Sequence, residues 1–215
     1  MNVCELVKKA YELYVAEDKK KETETGKGLR EAGNEYIESV ERGMEDFIHN
    51  RNTSLLSDGK DNYLFSNGKY WAEIGPGKMA KRNFKLFLED QQTKNIIRTL
   101  LKADFTQKQN KDLIREYFEH RDGFQYLQDV YFPRAYTNRL YTILLRDVTT
   151  TISNEKVLKE VANTLRIFTS NKSYGELQLD VREVTDKCLI ELGLYNDCTT
   201  FDKAVVAWYV HELHV

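Results

Sequence analysis

Asp61, Glu73 and Lys78 are the residues that come nearest to the pattern of a metal-dependent nuclease. That pattern needs an aspartate, followed on a strand by an acidic residue and a lysine two positions apart. The two carboxylates then hold the metal ion, and the lysine assists the attacking water. Position 75 is a glycine, and Lys78 lies beyond the turn that follows. We therefore expect a structural hairpin with a solvated Glu73 rather than a nuclease site.

The histidines and cysteines do not form a metal-binding pattern. Only His211 and His214 are one helical turn apart, and a structural zinc site needs four ligands, for which Cys198 is the one further candidate nearby. The cysteines are odd in number and far apart, and we expect Cys4, Cys188 and Cys198 to be reduced thiols, with Cys188 on the apolar face of a helix rather than paired with Cys198. The sequence predicts no metal and no cofactor.

The segment Gly75-Pro76-Gly77-Lys78 contains glycines and a lysine but lacks the spacing of a nucleoside-triphosphate loop. That loop is longer and places Ser or Thr after the lysine, whereas Met79 follows here. Glycines do allow close approach of a backbone, and Lys81 and Arg82 lie just beyond them. These residues suit phosphodiester contacts rather than nucleotide binding, and the alternative is an ordinary solvated face.

Aromatic residues precede this basic segment on a predicted β-hairpin. The turn Asn67-Gly68 lies between Tyr63 and Phe65 on one side and Tyr70 and Trp71 on the other. Asn-Gly between two aromatic runs is typical of a two-residue hairpin turn. Because alternate residues of a strand point to opposite faces, these side chains cannot all enter one core. Some of them are therefore exposed or covered by a partner, unless helices cover both faces of the hairpin.

The most basic part of the chain runs from residue 78 to residue 102, where seven lysines and arginines face only two acidic residues. Exposed aromatic rings stack on unpaired or flipped bases, and lysines and arginines neutralise phosphates. A nucleic-acid surface explains the aromatic and the basic residues together. The predicted contacts are Tyr70, Trp71, Lys78, Lys81, Arg82 and Lys85.

Composition limits the other possibilities. The chain has 215 residues, two prolines and 31% charged residues, which favours a mainly α protein. A formal net charge of −2 excludes a uniformly basic protein, so nucleic-acid contacts must come from a local patch. No uninterrupted apolar stretch follows Met1, which argues against a secretory signal or a transmembrane span and for a cytoplasmic protein without membrane contacts.

The hydrophobic periodicity predicts a multi-helix domain with one inserted β-hairpin. We expect residues 1–77 to form a helical segment plus the hairpin, and residues 78–215 to form a helical domain, either separate from the first part or continuous with it. In the first half of the chain, the predicted helices are Val3–Leu13, which precedes a charged linker at Asp18–Glu22, and Leu29 to about Asn50. Further helices are predicted to end at Asp122-Gly123 and to span Phe124–Tyr131 and Ala135–Leu145. Three more are marked by their caps: one capped by Ser153, one capped by Ser173 and Glu176 and closed by Gly193, and one capped by Thr199 or Thr200.

The C-terminal part resembles a helical domain of bacterial defence proteins. The resemblance rests on the order of segments Arg134–Asp147, Ile152–Leu165, Tyr174–Leu192 and Phe201–Trp208: a helix ending at an aspartate, a short extended passage, and three further helices. This domain is similar to the helix-hairpin-helix fold of DNA glycosylases and occurs near the N-terminus of McrB-like restriction ATPases. The resemblance implies recognition of target DNA.

The sequence departs from that family in its catalytic and phosphate-binding parts. The segment Tyr131–Ala135 lacks the glycine-rich hairpin that donates backbone N–H groups to a phosphate, and no lysine nucleophile can be assigned. Asp147 is a positional candidate for the acid. The resemblance therefore carries over a role in DNA recognition and no catalytic residue.

These observations favour a DNA-binding specificity module of a restriction or phage-defence system that is not an enzyme by itself. Its expected partners are DNA, including a modified or flipped base, and an attached or separate ATPase. Two alternatives remain open: a glycosylase-like or nuclease enzyme, and a protein-interaction domain in which the aromatic hairpin docks another protein. Phosphate contacts weaken steeply with added salt and apolar docking does not, so salt dependence separates the readings.

Overall fold

The computed structural model describes residues 2–48, 84, 86–105, 111–127 and 134–213. Within these ranges the helices are α1 (Val3–Thr25), α2 (Leu29–Ile48), α3 (Gln91–Lys102), α4 (Lys111–Leu127), α5 (Arg134–Leu144), α6 (Glu155–Thr164), α7 (Tyr174–Glu191), a 3-10 helix (Tyr195–Asp197) and α8 (Thr200–Glu212). No strand occurs in the described ranges, and the prediction of a mainly α protein is confirmed. The predicted β-hairpin and the predicted boundary after residue 77 lie outside them.

Capping residues set several helix ends where the sequence predicts them. The Ser173 hydroxyl accepts a hydrogen bond from the backbone N–H of Glu176, whose carboxylate accepts one from the Ser173 N–H at 2.8 Å. Gly193 follows α7 with φ 72°, a left-handed conformation that costs glycine little. Thr199 caps α8 in the same reciprocal manner with Asp202. These predictions are confirmed. The caps are predictable from the sequence because each one involves only residues that are close together in the chain.

Three predicted boundaries are wrong. The run Asp18–Glu22 is not a linker, because α1 continues through it to Thr25. Lysine and glutamate are good helix formers, so a polar run prolongs a helix whose first half is already packed. Gly123 lies within α4, and Phe124 therefore does not begin a separate helix. The N-cap of α6 is Asn154 rather than the buried Ser153.

Helix α8 is the central element of the core. Its side chains are buried on most sides, and it packs against α1, α2, α6 and α7. Gly33 of α2 lies so close to α8 that an added Cβ would come within 2.4 Å of the Phe201 ring. Gly175 similarly allows α7 to approach Ile114 of α4. Close contacts between these helices therefore require the two glycines. The buried apolar side chains of the described helices form one hydrophobic cluster.

A buried carboxylate connects the first turn of α8 to two other helices. The Asp202 carboxylate is fully buried and accepts hydrogen bonds from the Tyr14 hydroxyl of α1, from Arg30 Nε of α2 at 3.0 Å, and from the Thr199 N–H at 2.8 Å. Burial raises the pKa of Tyr14 far above its ordinary value, and the charge of Asp202 raises it further. Tyr14 therefore remains a hydrogen-bond donor at neutral pH.

A disulfide joins Cys4 in the first turn of α1 to Cys188 near the end of α7, with their Cα atoms 4.9 Å apart. The expectation of reduced thiols is wrong for this pair, because 184 residues separate two cysteines that helix packing brings together. Cys188 is buried, as its place on the apolar face predicts, and Cys198 is a buried free thiol. Cys4 Sγ lies 3.5 Å from Glu191 Oε2, an acceptor to which a thiol can donate and a disulfide cannot.

No helix in the described ranges combines the length and the apolar character needed to cross a membrane.

Reducing the disulfide should lower the melting temperature. A cross-link closing a loop of this length removes entropy from the unfolded chain, and we expect a loss of about 2–5 kcal/mol. The measurement is thermal unfolding with and without a phosphine reductant, in wild-type protein and in Cys4→Ser. Cys198→Ser, which leaves the cross-link in place, should keep its response to the reductant. Equal melting temperatures of oxidised and reduced wild-type protein would contradict the stabilising role.

Replacing Asp202 with Asn should cost about 2–4 kcal/mol of unfolding free energy. The change removes a buried charge that Tyr14 and Arg30 satisfy and weakens the cap of α8. Denaturant titration measures it. Asp112→Asn is the matched control because its carboxylate is exposed on α4, and it should change stability by less than about 0.5 kcal/mol. Similar losses of unfolding free energy in both variants would show that the buried carboxylate stabilises the fold no more than an exposed one.

Candidate functional site

The extended segment 149–153 between α5 and α6 is buried, and side chains of α7 hold it. Its backbone groups have no regular secondary structure to pair with, so other partners must satisfy them. Gln178 Oε1 accepts from the Thr150 N–H at 2.9 Å, and Gln178 Nε2 donates to the Ile152 carbonyl at 2.6 Å. Arg182 Nη1 donates to the Thr149 carbonyl at 2.7 Å. The segment is therefore fixed against α7.

The Tyr174 hydroxyl completes this arrangement at the start of α7. It donates to the Ile152 carbonyl at 2.6 Å and accepts from Gln178 Nε2 at 2.8 Å. Burial raises the pKa of Tyr174 well above its ordinary value, which keeps the hydroxyl protonated and able to donate. The first turn of α7 and the start of α6 thus have fixed positions relative to each other.

A cleft of about 240 Å³ opens beside these two helix starts, and we call it the basic cleft. Its wall comes from α4, α5, α6, α7 and the residue before the α7 cap. The lining residues are Phe118, Arg121, Asp122, Arg134, Glu155, Lys159, Lys172, Ser173, Tyr174 and Leu177. Four basic side chains therefore face two carboxylates, whereas the whole chain has a net charge of −2.

Arg121 lies at the floor of the basic cleft and is only 4% exposed. Its Nη1 donates to Asn138 Oδ1 at 2.7 Å, and its Nε donates to Asp122 Oδ1 at 2.9 Å. The guanidinium carbon lies 4.6 Å above the centre of the Phe118 ring, and Glu155 Oε1 is 3.8 Å from Nη1. A buried guanidinium with all these partners is a structural support of the cleft.

The rim carries the basic groups that can meet a ligand. Lys159 is exposed on α6 and forms no ion pair with any described residue. The Arg134 side chain is 57% exposed, and its closest carboxylate, Asp122, is 4.0 Å away. Lys172 is held by Asp180 at 2.6 Å. Two exposed cations above a hydrogen-bonded, partly aromatic floor can bind an anion such as a phosphate group.

All six nucleic-acid contacts predicted from the sequence lie outside the described residues, so their arrangement is not part of the site above. These residues are Tyr70, Trp71, Lys78, Lys81, Arg82 and Lys85. Asp61 and Glu73 of the weighed nuclease pattern lie outside as well.

The other residues considered for chemistry are placed apart from the basic cleft. Asp147 lines a different cavity beside α2 and α3. His120 Nε2 contacts Thr93 Oγ1 at 2.8 Å, and His211 Nδ1 lies 3.7 Å from Glu160. Among the described residues no group of three or more His, Cys, Asp or Glu side chains could hold a metal ion.

Sequence reasoning missed the basic cleft because its residues come from four separate places along the chain. Arg121 belongs to α4, Lys159 to α6 and Lys172 to the connection before α7. None of these three residues belongs to a local motif. The capping pair of α7 was the only local signal at this position, and it predicts a helix start rather than a cleft.

No protein-family model matches the chain. It has no significant match among curated proteins or among solved structures.

Substitutions of Arg121 and of Lys159 should have sharply different effects on the free energy of unfolding. Arg121→Met leaves the buried Asn138 acceptor without its donor and should lower the unfolding free energy by about 2–4 kcal/mol. Lys159→Met removes an exposed cation and should change it by less than about 0.5 kcal/mol. Denaturant unfolding of both variants tests the distinction between floor and rim. Equal losses, or none at Arg121, would refute it.

Proposed function

We propose that the protein binds DNA through phosphate contacts at the basic cleft. The observation that carries this proposal is the local excess of positive charge, four basic side chains against two carboxylates, in a chain of net negative charge. Since the global field does not attract a polyanion, binding must depend on such a local patch.

The arrangement of the cleft favours phosphate groups over the edges of bases. Phe118 and Tyr174 are each 7% exposed, so their rings offer little area on which a base could stack. Exposed lysine and arginine side chains at the rim instead suit phosphate oxygens, which carry no sequence information. The cleft would therefore position the protein on the nucleic acid.

Recognition of bases is assigned in this proposal to Tyr70 and Trp71, as the sequence predicts. The basic residues Lys78, Lys81, Arg82 and Lys85 would extend the phosphate contacts. This division gives one surface for position and another for stacking on an exposed or flipped base. Binding experiments separate the two parts.

In the wider proposal the protein is a specificity module of a restriction or phage-defence system, not an enzyme by itself, with an ATPase as partner. The support is the resemblance of its C-terminal segments to the helical domain described above. We place it in the cytoplasm. A disulfide such as that between Cys4 and Cys188 is uncommon in this reducing compartment.

Removing the two rim cations should weaken DNA binding without changing the fold. For Arg134→Ala with Lys159→Ala, we expect the affinity for unrelated duplexes to fall by a similar factor. The slope of log affinity against log salt should become flatter by roughly one unit for each lost phosphate contact. Fluorescence anisotropy with labelled duplex and single-stranded DNA at several salt concentrations measures both effects.

The matched control is Lys8→Ala with Lys187→Ala, which removes the same charge elsewhere. Lys187 is 13 residues along α7 from Tyr174, about 20 Å from the cleft. Lys81→Ala, Arg82→Ala and Lys85→Ala form a third variant for the predicted segment. If the cleft variant binds like the control, the cleft is not the interface. Binding that is independent of salt would favour the protein-interaction alternative.

A further inference from the structure

The two sulfurs of the Cys4–Cys188 disulfide differ in their access to solvent. Cys4 lies in the first turn of α1 and is partly exposed, whereas Cys188 is 3% exposed on the buried face of α7. Thiol–disulfide exchange begins when a thiolate attacks one sulfur of a disulfide and the other sulfur leaves, so access decides which sulfur is attacked. A small thiol therefore reaches Cys4 Sγ, and Cys188 Sγ is the leaving group.

Glu191 gives the reduced form of Cys4 a hydrogen-bond partner of its own. Its carboxylate is exposed at the end of α7, with Oε2 3.5 Å from Cys4 Sγ. A thiol can donate to this acceptor, whereas a disulfide has no proton to donate. Cys4 therefore has a defined partner in each redox state, Cys188 when it is oxidised and Glu191 when it is reduced.

Contacts other than the cross-link also hold the first turn of α1. The Asn2 side chain caps the helix by accepting from the Cys4 N–H, and Leu6 and Val7 are buried in the core. Reduction should therefore leave this turn in place and keep the two thiols close enough to pair again. Reversible exchange requires such a reduced state.

We propose that Cys4 is a site of reversible exchange with a low-molecular-weight thiol of the glutathione class, and that Cys188 resolves the mixed disulfide. In the oxidising direction the Cys4 thiolate attacks the disulfide of the reagent, forms a mixed disulfide and releases one thiolate. Cys188, after losing its proton to solvent, attacks Cys4 Sγ and releases the second thiolate. One reagent disulfide thus becomes two thiols as two protein thiols become the cross-link, and reduction reverses both steps. The proposal is independent of DNA binding, because neither cysteine lines the basic cleft.

The first experiment identifies the reactive sulfur. The full chain with Cys198→Ser is combined with Cys188→Ser or with Cys4→Ser, and each variant is mixed with excess glutathione disulfide. Intact mass and peptide mapping should show one glutathione on Cys4 in the first variant, and modification of Cys188 in the second at least about tenfold more slowly. Both variants lack the same cross-link, so its loss does not explain a difference in rate. Equal rates, or an unmodified Cys4, would overturn the proposal.

The wild-type protein provides a test that needs no substitution. Oxidised protein is mixed with reduced glutathione and quenched with acid after short times, which traps mixed disulfides because the attacking thiolates become protonated. We expect glutathione on Cys4 in the trapped species, and its disappearance as a second glutathione completes the reduction. Trapped glutathione on Cys188 would show that the buried sulfur is attacked and would reject the assignment.

Glu191→Gln tests the acceptor in the reduced state. The variant loses the charged acceptor of the Cys4 thiol, so the ratio of disulfide to dithiol at a fixed glutathione redox ratio should rise about threefold. Glu183→Gln removes an exposed carboxylate about two turns earlier on α7 and is the matched control, in which the ratio should not change. The same ratio in wild type, Glu191→Gln and Glu183→Gln would refute the role of Glu191.

Discussion

The buried carboxylate of Asp202 is the interaction on which the packing of the N-terminal helices depends. An ionised carboxylate is costly to bury unless hydrogen bonds and opposite charge compensate for lost water. Here Tyr14 of α1, Arg30 of α2 and the Thr199 N–H each contribute one partner. Because all three must be present together, the carboxylate fixes the position of both N-terminal helices against the first turn of α8. Burial alone would lower the pKa of Arg30, but the charge of Asp202 and the hydrogen bonds with Asp202 and Tyr14 together outweigh it, and the pKa is raised.

The same rule of compensated burial connects the core to the basic cleft. The extended segment 149–153 has buried backbone groups, and the side chain of Gln178 satisfies three of its polar atoms. Asn138 Nδ2 donates to the Ser153 carbonyl at 3.0 Å, while its Oδ1 accepts from Arg121. One amide thus joins the buried segment to the floor of the cleft. The rim cations therefore stand on a support whose polar groups are paired.

Local and distant determinants explain how much of the structure the sequence could predict. The caps at Ser173 and Thr199 depend on a residue three positions away, and the mainly α class depends on periodicity, so both were predictable. The end of α1 was not, because packing of its first half supports a polar second half. The bond from Cys4 to Cys188 and the basic cleft depend on contacts between segments far apart in the chain. Neither arises from a motif, since each participating residue is unremarkable within its own helix.

Ion pairs line both described cavities in a chain whose charges nearly cancel overall. In the basic cleft, one buried arginine takes up Asp122 and leaves the rim lysine and arginine available. In the cavity beside α2 and α3, Arg146 pairs with Glu41 at 2.7 Å. In each case an ion pair supports the wall and neutralises one charge of each sign. Net charge is therefore a poor guide to what this protein binds, and the pairing of individual side chains decides it.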